Sequence, residues 1–423
     1  MIKQIEREFL AILQEELIPA MGCTEPIALA YASAVARREL GEMPTSIVAK
    51  CSGNIVKNVF SVSIPNSGGM VGIESAVLLG AIGGNDDLLM EVLESVTPNH
   101  IQMANELLSQ GVCQVEFLDS EIPLHFEIIQ NAGEHHVSVE VRYSHTNIVR
   151  ITKDGETVFE ADSNAFAGAA KTDRSKLNIE NIKNFADTVD IELIRPLYDK
   201  QIMCNMAIAE EGMTGKYGLG IGKVLMSYNS EGVFQQMKAY AAAASEARMG
   251  GCDMPVIITS GSGNQGIASS VPVIIYAREK NIPTEKLYRA LAFSSLLTIF
   301  QKEFIGKLSA FCGAVSATCA AGAAITYIED GSKEAIEDTI DNTLANCPGV
   351  ICDGAKVSCA AKIASCLDAA ILGHYLAIQG KAYAANEGIL MQEAEGTISC
   401  VGHIGRVGMR QTDKEIIKLM LGR

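Results

Sequence analysis

The chain has 423 residues, 48% hydrophobic and 20% charged, with a formal net charge of −16. That balance argues against a nucleic-acid backbone or an anionic membrane as the main partner, and against wholesale disorder. It favours a soluble cytoplasmic protein that handles a small ligand, with core enough for two or three domains or for one large core carrying an insertion.

The first residues, "MIKQIEREFLAILQEELIPAMG", pattern as an amphipathic helix whose glutamates read against a signal peptide. Residues 2–40 read as two helices broken around "PAMGCTEP". "TSIVAKCS" and "NVFSVSIPN" alternate like strands, and "GIESAVLLGAIGG" and "DLLMEVLESV" return to helix. From Gly111 to Glu160 the chain is β-rich, with "NAGEH" and "KDGE" as hairpin loops. From about Asn178 it is helical and rich in Ala, Gly and Cys, interrupted by "CDMPVIITSGSGNQG". Leu308–Ile328 has the length of a membrane span, but Ala, Gly, Ser and Cys dominate it, so it reads as a tightly packed buried helix. The expected fold class is α+β. A large, mainly helical domain would be built from residues 1–44 and 166–423, with a smaller hairpin-rich α+β domain inserted at 45–165.

Twelve cysteines without a secretion signal are expected to be reduced, most of them as small core residues. Four fall between Asn346 and Cys366. Residues seven apart on a helix lie about 10.5 Å apart along its axis. Cys359 and Cys366, in "SCAAKIASC", therefore cannot share one compact metal centre, and neither can Cys312 and Cys319. Asp353-Gly354 breaks the chain between Cys352 and Cys359 so that those two can meet, while "CPG" lets Cys347 face elsewhere. This geometry selects Cys352, Cys359 and one of the Cys312/Cys319 pair. Three soft ligands suit zinc or an iron–sulfur cluster, and the missing CxxC weighs against a zinc finger. The competing reading is simple packing of cysteine-rich helices.

Four other motifs carry possible chemistry. In "MGCTEPIALAYA", Thr24 is a natural N-cap, and free amides there would bind a carboxylate and lower the Cys23 pKa. An ordinary cap with a buried cysteine is the plain alternative. In "SIPNSGGMVG", Asn66 and Ser67 are placed to donate to a carboxylate. "TSGSGNQGIAS" sets Gly261, Gly263 and Gly266 around Ser262, Asn264 and Gln265. Either glycine-rich loop is also what a helix-entry turn looks like. The second suggests a pyridoxal-phosphate cradle, which needs a Schiff-base lysine; Lys50, Lys57 and Lys356 are the candidates, but the βαβ alternation is absent. In "SCVGHIGRVGMRQTDKEI", the glycines suggest a packed tail rather than a helix, and His403 is either an acid–base group or a core histidine. His125, His135, His136 and His145 fall in strand patterns and read as surface residues.

Together "MGCTEP", "IPNSG", "SGSGNQG", "FCGAVSA", "CDGAKVSCAAK" and "GHIGRVGM" resemble the L-cysteine desulfidase family, which is related to the alpha domain of iron–sulfur L-serine dehydratases. The resemblance covers essentially the whole chain. It implies a helical catalytic domain with an attached α+β part, and a [4Fe–4S] cluster on Cys312, Cys352 and Cys359. It places Cys23 at the substrate site as a candidate base, with Lys356 and His403 as alternatives. Thr24, Glu25, Asn66, Ser67, Gly263 and Asn264 would contact the substrate. The implied reaction is α,β-elimination of L-cysteine to sulfide, ammonia and pyruvate. L-serine or another β-substituted amino acid is the alternative substrate, and a non-catalytic cluster-bearing amino-acid sensor the alternative role. A homodimer is expected, with no nucleic-acid or membrane partner.

Overall fold

Six strands form one mixed sheet in the order β3-β2-β4-β5-β6-β7. They are β2 (Ser46–Cys51), β3 (Cys113–Phe117), β4 (His125–Ala132), β5 (His135–Arg142), β6 (Ile148–Lys153) and β7 (Glu156–Glu160), and only the β2–β3 pair is parallel. These come from a computed structural model that describes residues 2–161, 172–228, 232–306, 309–329 and 331–421. Alternation decides the sheet's faces: every second residue of β2 is buried. Asp154 and Gly155 both adopt positive φ, 53° and 86°, as a two-residue hairpin between β6 and β7 requires. The buried face is covered by the Thr24–Leu40 and Gly72–Gly83 helices. Gln130 on β4 donates to the Ser33 carbonyl (2.9 Å), and Ser33 Oγ donates to the Val77 carbonyl (2.7 Å).

The rest is helical, and its centre is the Ala314–Ile328 helix, all fifteen residues of which are buried. Small residues let its neighbours approach closely. A Cβ added at Gly322 would lie 2.9 Å from the Ala370 methyl, on the Cys359–Ala377 helix. The packed buried helix expected from the sequence is therefore present, although Leu308, its expected start, lies outside the described residues. Among the described residues no helix is long and apolar enough to cross a membrane. One hydrophobic core runs through the sheet's covering layer and the helical region. The expected domain boundary near 165/166 falls outside the described residues.

Three stretches differ from expectation. "NVFSVSIPN" is not a strand: Gly53–Val59 is helical, because Ile55, Val56 and Val59 bury one helical face, and only Ser63 makes an isolated bridge. "DLLMEVLESV" is not an α-helix. It makes a tight 3-10 turn over Asp86–Glu91, capped by Asn85 and broken at Leu89, whose φ is 49°. "GHIGRVGM" is no irregular tail. The Ala394–His403 helix runs through a π-helical turn (Ile404–Gly408) into the Arg410–Leu421 helix, and Gly402 fits where a Cβ would lie 2.2 Å from Phe304 Cβ.

Two short pairings hold the functional loops. β1 (Pro19–Met21) pairs antiparallel with β8 (Pro255–Ile257), which sets "GCTE" beside "TSGSGNQG". A bridge between Phe311 and Ile351 sets the two cysteine-bearing segments side by side.

Candidate active site

The Phe311–Ile351 bridge is fixed by amides: Cys312 N–H donates to the Val350 carbonyl (2.9 Å) and Cys352 N–H to the Ala310 carbonyl (2.7 Å). The Cys312 and Cys352 thiols consequently touch. The chain then turns at Gly354, whose φ is 97° and whose missing side chain leaves room for the Lys57 carbonyl, and Cys359 opens the next helix. All three thiols line one cavity of about 100 Å³. Its other walls are Cys23-Thr24-Glu25, the Ser260–Ser262 loop, the first turn of the Gly263–Glu279 helix, and Asn54, Lys57 and Asn58. Arg248, Lys302 and His145 complete it. A larger cavity of about 870 Å³ adjoins it and shares Asn54, Lys302 and Ser309.

The thiols are electrostatically unlike one another. A hydrogen bond from Cys312 holds the Cys352 thiol down, at about 6, and Lys57 adds to this. The same bond, with burial, pushes Cys312 far up. Burial also raises Cys359, against a hydrogen bond from the Lys356 amide (3.4 Å to the sulfur). Burial brings the Lys302 ammonium down to about 8 although Cys312 and Cys352 oppose it. Lys57, 2% exposed, is held by Asp413 at 2.5 Å and donates to the Cys352 carbonyl at 3.3 Å. Three thiols and two buried ammonium groups thus share one site.

Opposite them, Cys23 donates its thiol proton to Glu25 Oε2 (3.1 Å), and Asn58 donates to Glu25 Oε1 (2.8 Å). Burial opposes ionisation of Glu25, yet His145 and these donors outweigh it and keep its pKa low. Burial and the Glu25 charge push the Cys23 thiol well up. This corrects the expectation that a helix terminus lowers it. Cys23, not Thr24, is the N-cap, and it makes no side-chain capping bond. Thr24 Oγ1 lies within reach of Glu25 Oε2 (3.1 Å) and the Gly261 carbonyl (3.2 Å).

The cavity walls carry buried polar atoms without hydrogen-bond partners: Arg248 Nε, Ser260 Oγ, Asn58 Oδ1 and Gln265 Oε1. Leaving such atoms unpaired costs about 1–3 kcal/mol each, more for a charged group. Their convergence fits a polar ligand. Arg248 is 2% exposed, and its Nη1 is steadied by Asn264 Oδ1 (3.1 Å). Gly263 must be glycine for this arrangement, since a Cβ would lie 2.3 Å from Arg248 Nε. Ser260 sits at φ 50°, a strained conformation for a residue with a side chain, which aims it at the cavity.

Among the described residues no three His, Cys, Asp or Glu side chains converge as ligands of a single metal ion would. A cluster sets a different test, because its thiolates bind different irons and need not meet at one point. Three cysteines on one cavity, with cations behind them, meet that test. Cys312, Cys352 and Cys359 are the residues that would hold such a cluster.

Several expected site residues stand elsewhere. Asn66 gives its side-chain amide to the carbonyls of Leu93 (2.9 Å) and Val96 (3.1 Å), and its backbone N–H to Asp253 (2.5 Å). Ser67 Oγ donates to the Ile64 carbonyl (2.6 Å). Neither lines the cavity, because both are consumed in holding their own loop. His403 is exposed at a helix end, outside the cavity. Lys356 is half-buried beside Cys23, with its ammonium on the Lys57 carbonyl (3.4 Å) and its pKa lowered by burial. Lys50 is on β2, 3.6 Å from Glu127 in the sheet. His135 and His136 are exposed as expected. His125 is instead buried between Ser120 and Glu140 (2.8 Å each), and His145 lines the cavity from the β5–β6 loop. Arg248, His145, Lys302 and Asn58 are the residues that motif reading missed. The one available signal was an arginine at the end of the alanine run "AAAASEARMGG", where a buried helix has no use for a charge without a partner.

A sequence profile of the serine dehydratase alpha chain matches residues 87–418. A UPF0597 protein of Treponema denticola is 45% identical over 425 residues, covering 99% of each chain. Another from Lachnoclostridium phytofermentans is 45% identical over 415 residues (98% of this chain, 99% of the relative), and one from Phocaeicola vulgatus 35% over 428 residues (99% of each). With a matched stretch that spans both cysteine-bearing segments, Arg248 and the glycine loop after it, the chain belongs to the serine dehydratase alpha chain family.

Proposed function

We propose that the protein is an iron–sulfur-dependent amino-acid lyase that removes the β-substituent of L-cysteine as sulfide, leaving aminoacrylate that hydrolyses to pyruvate and ammonia. The observation that carries this reading is the convergence of three thiols, a buried arginine whose Nε has no hydrogen-bond partner and a Cys23–Glu25 proton pair on one cavity. When bound, a [4Fe–4S] cluster with three protein ligands supplies a Lewis-acidic iron for the leaving group.

This chain's residues do the rest. Arg248 binds the substrate carboxylate, helped by Ser260 Oγ and the amides at the start of the Gly263–Glu279 helix. Neutralising that carboxylate makes the Cα proton easier to remove. Cys23 is the proposed base. Its proton already points at Glu25 Oε2, so Sγ takes the Cα proton as it passes its own proton to Glu25, and no free thiolate has to form beside the Glu25 charge. His145 balances the Glu25 charge, and Asn58 fixes the carboxylate's orientation. Lys356, beside Cys23, is the second candidate base, in the way a burial-lowered ammonium would allow.

L-serine is the alternative substrate. A soft leaving sulfur suits an open iron position, and the resemblance to cysteine desulfidases points the same way. The test is turnover of anaerobically reconstituted protein on L-cysteine and L-serine side by side, read as sulfide and pyruvate. Sulfide release that exceeds serine turnover supports the reading. Full activity in iron-free protein contradicts it, and turnover of serine alone moves the assignment to a dehydratase.

A further inference from the structure

Three of the cysteines outside the cavity, Cys319, Cys347 and Cys366, form a second group on the segments that carry the cavity thiols. Cys319 is seven residues beyond Cys312 on the helix that follows it, Cys366 is seven beyond Cys359 on one helix, and Cys347 is five before Cys352. Helical rise over seven residues places Cys366 about 10 Å along the helix from Cys359, while Cys312 precedes the helix that carries Cys319. Cys347 is the C-cap of the Lys333–Asn346 helix, half-buried, with φ −135° and ψ 78°, so it stands on a turn rather than inside a helix. Cys366 is 1% exposed on the neighbouring helix. Their sulfurs meet in a hydrogen bond donated by Cys366, while Cys319 packs against Thr343 close by.

We propose that Cys347 and Cys366 are a redox modification site: a thiol pair that a peroxide converts to a disulfide. The Cys347 sulfur attacks the peroxide oxygen, the O–O bond breaks, and Cys347 sulfenic acid and hydroxide form. The Cys366 sulfur then displaces hydroxide from that sulfenic acid, and its released proton converts hydroxide to water. Overall two thiols and one H₂O₂ give one disulfide and two waters. The roles follow from placement. Cys347 is the accessible member and attacks, while Cys366 is buried against it and resolves. The hydrogen bond from Cys366 also holds the Cys347 thiol down, at about 7, which supplies thiolate near neutrality. The bond would tie the turn leading to Cys352 to the helix that begins at Cys359. Oxidation there would therefore be felt by two of the cavity thiols.

This modification does not depend on the lyase reading, and its test needs no turnover. Anaerobic holoprotein is treated with a few equivalents of hydrogen peroxide, free thiols are alkylated, and peptides are mapped without reduction. A linked Cys347–Cys366 peptide, two hydrogens lighter than the sum of its parts, is expected in most chains. In Cys366→Ala the resolving thiol is gone, and dimedone should then label Cys347 at least fivefold more than in the wild type. Wild-type protein whose Cys347 and Cys366 are both alkylated after peroxide overturns the proposal, and so does a linkage confined to Cys312 and Cys352. The wild-type map stands even if the variant fails to fold.

Discussion

Cys312, Cys352 and Cys359 and the set Cys319, Cys347 and Cys366 come from the same three chain segments, yet their surroundings differ. The first set opens on a cavity, with Lys57 and Lys302 behind it and Arg248 across from it. The second lies among helices, with Thr343 and Asp341 beside Cys319 and the half-buried Cys347 on Cys366. Residue type and spacing are alike in both. What separates them is the shared cavity and the buried Lys57 and Lys302 that line it; such space and charge are what a set of metal-bound thiolates needs. The two glycine loops make the same point. "TSGSGNQG" leaves Ser260 and Gln265 unpaired and steadies Arg248, whereas "SIPNSGG" satisfies its own polar groups with backbone carbonyls.

The sharpest way to break the comparison between the two cysteine sets is Cys352→Ala against Cys366→Ala. The first should lower iron content and turnover by at least about 100-fold, since a lost ligand costs no less than a lost outer partner; the second should leave both within about twofold. Iron analysis and sulfide release check this. Next in size is the proton pair. Glu25→Gln should lower kcat by roughly 10²–10⁴ with little change in KM, as removal of an acid–base partner does. Steady-state kinetics on L-cysteine measure it.

The glycine loops supply a third contrast. Arg248→Gln should lower kcat/KM roughly 100-fold, chiefly through KM, because a charge-assisted contact to the carboxylate is lost. Asn66→Ala should leave the kinetics within about threefold and reduce unfolding stability by roughly 1 kcal/mol per lost hydrogen bond. Equal kinetic damage from both would mean that the second loop also contacts the substrate. The smallest effect concerns acid stability. Because the folded Glu25 pKa is below its unfolded value near 4.5, the ionised carboxylate stabilises the fold above that pH, and this contribution is lost as pH falls through the folded value. Urea unfolding between pH 5 and pH 3 should therefore fall more steeply in the wild type than in Glu25→Gln.

Much of this was legible in the chain, for identifiable reasons. Period-two alternation and the Asp154-Gly155 turn announced the hairpins, and the seven-residue rule separated Cys359 from Cys366 before any coordinates. The helix rule leaves Cys312 and Cys319 open; the Phe311–Ile351 bridge sets Cys312 beside Cys352, and the family resemblance implies the same member of the pair as ligand. Long-range pairing was invisible, so β1 went unseen, and with it the contact between "GCTE" and "TSGSGNQG". His145 was missed because a strand-rich stretch gives no sign that one connecting loop reaches a site on another part of the chain. The Cys23 pKa was misjudged because helix position is visible in sequence whereas burial beside Glu25 is not.

The most direct measurement is iron and acid-labile sulfide per chain after anaerobic reconstitution, in the wild type and in the Cys312→Ala, Cys352→Ala and Cys359→Ala triple variant, with the Cys319→Ala, Cys366→Ala double variant beside them. The account predicts about four of each per wild-type chain, as a single [4Fe–4S] cluster requires, a matching content in the double variant, and almost none in the triple variant. Iron and sulfide retained at the wild-type level in the triple variant would contradict it.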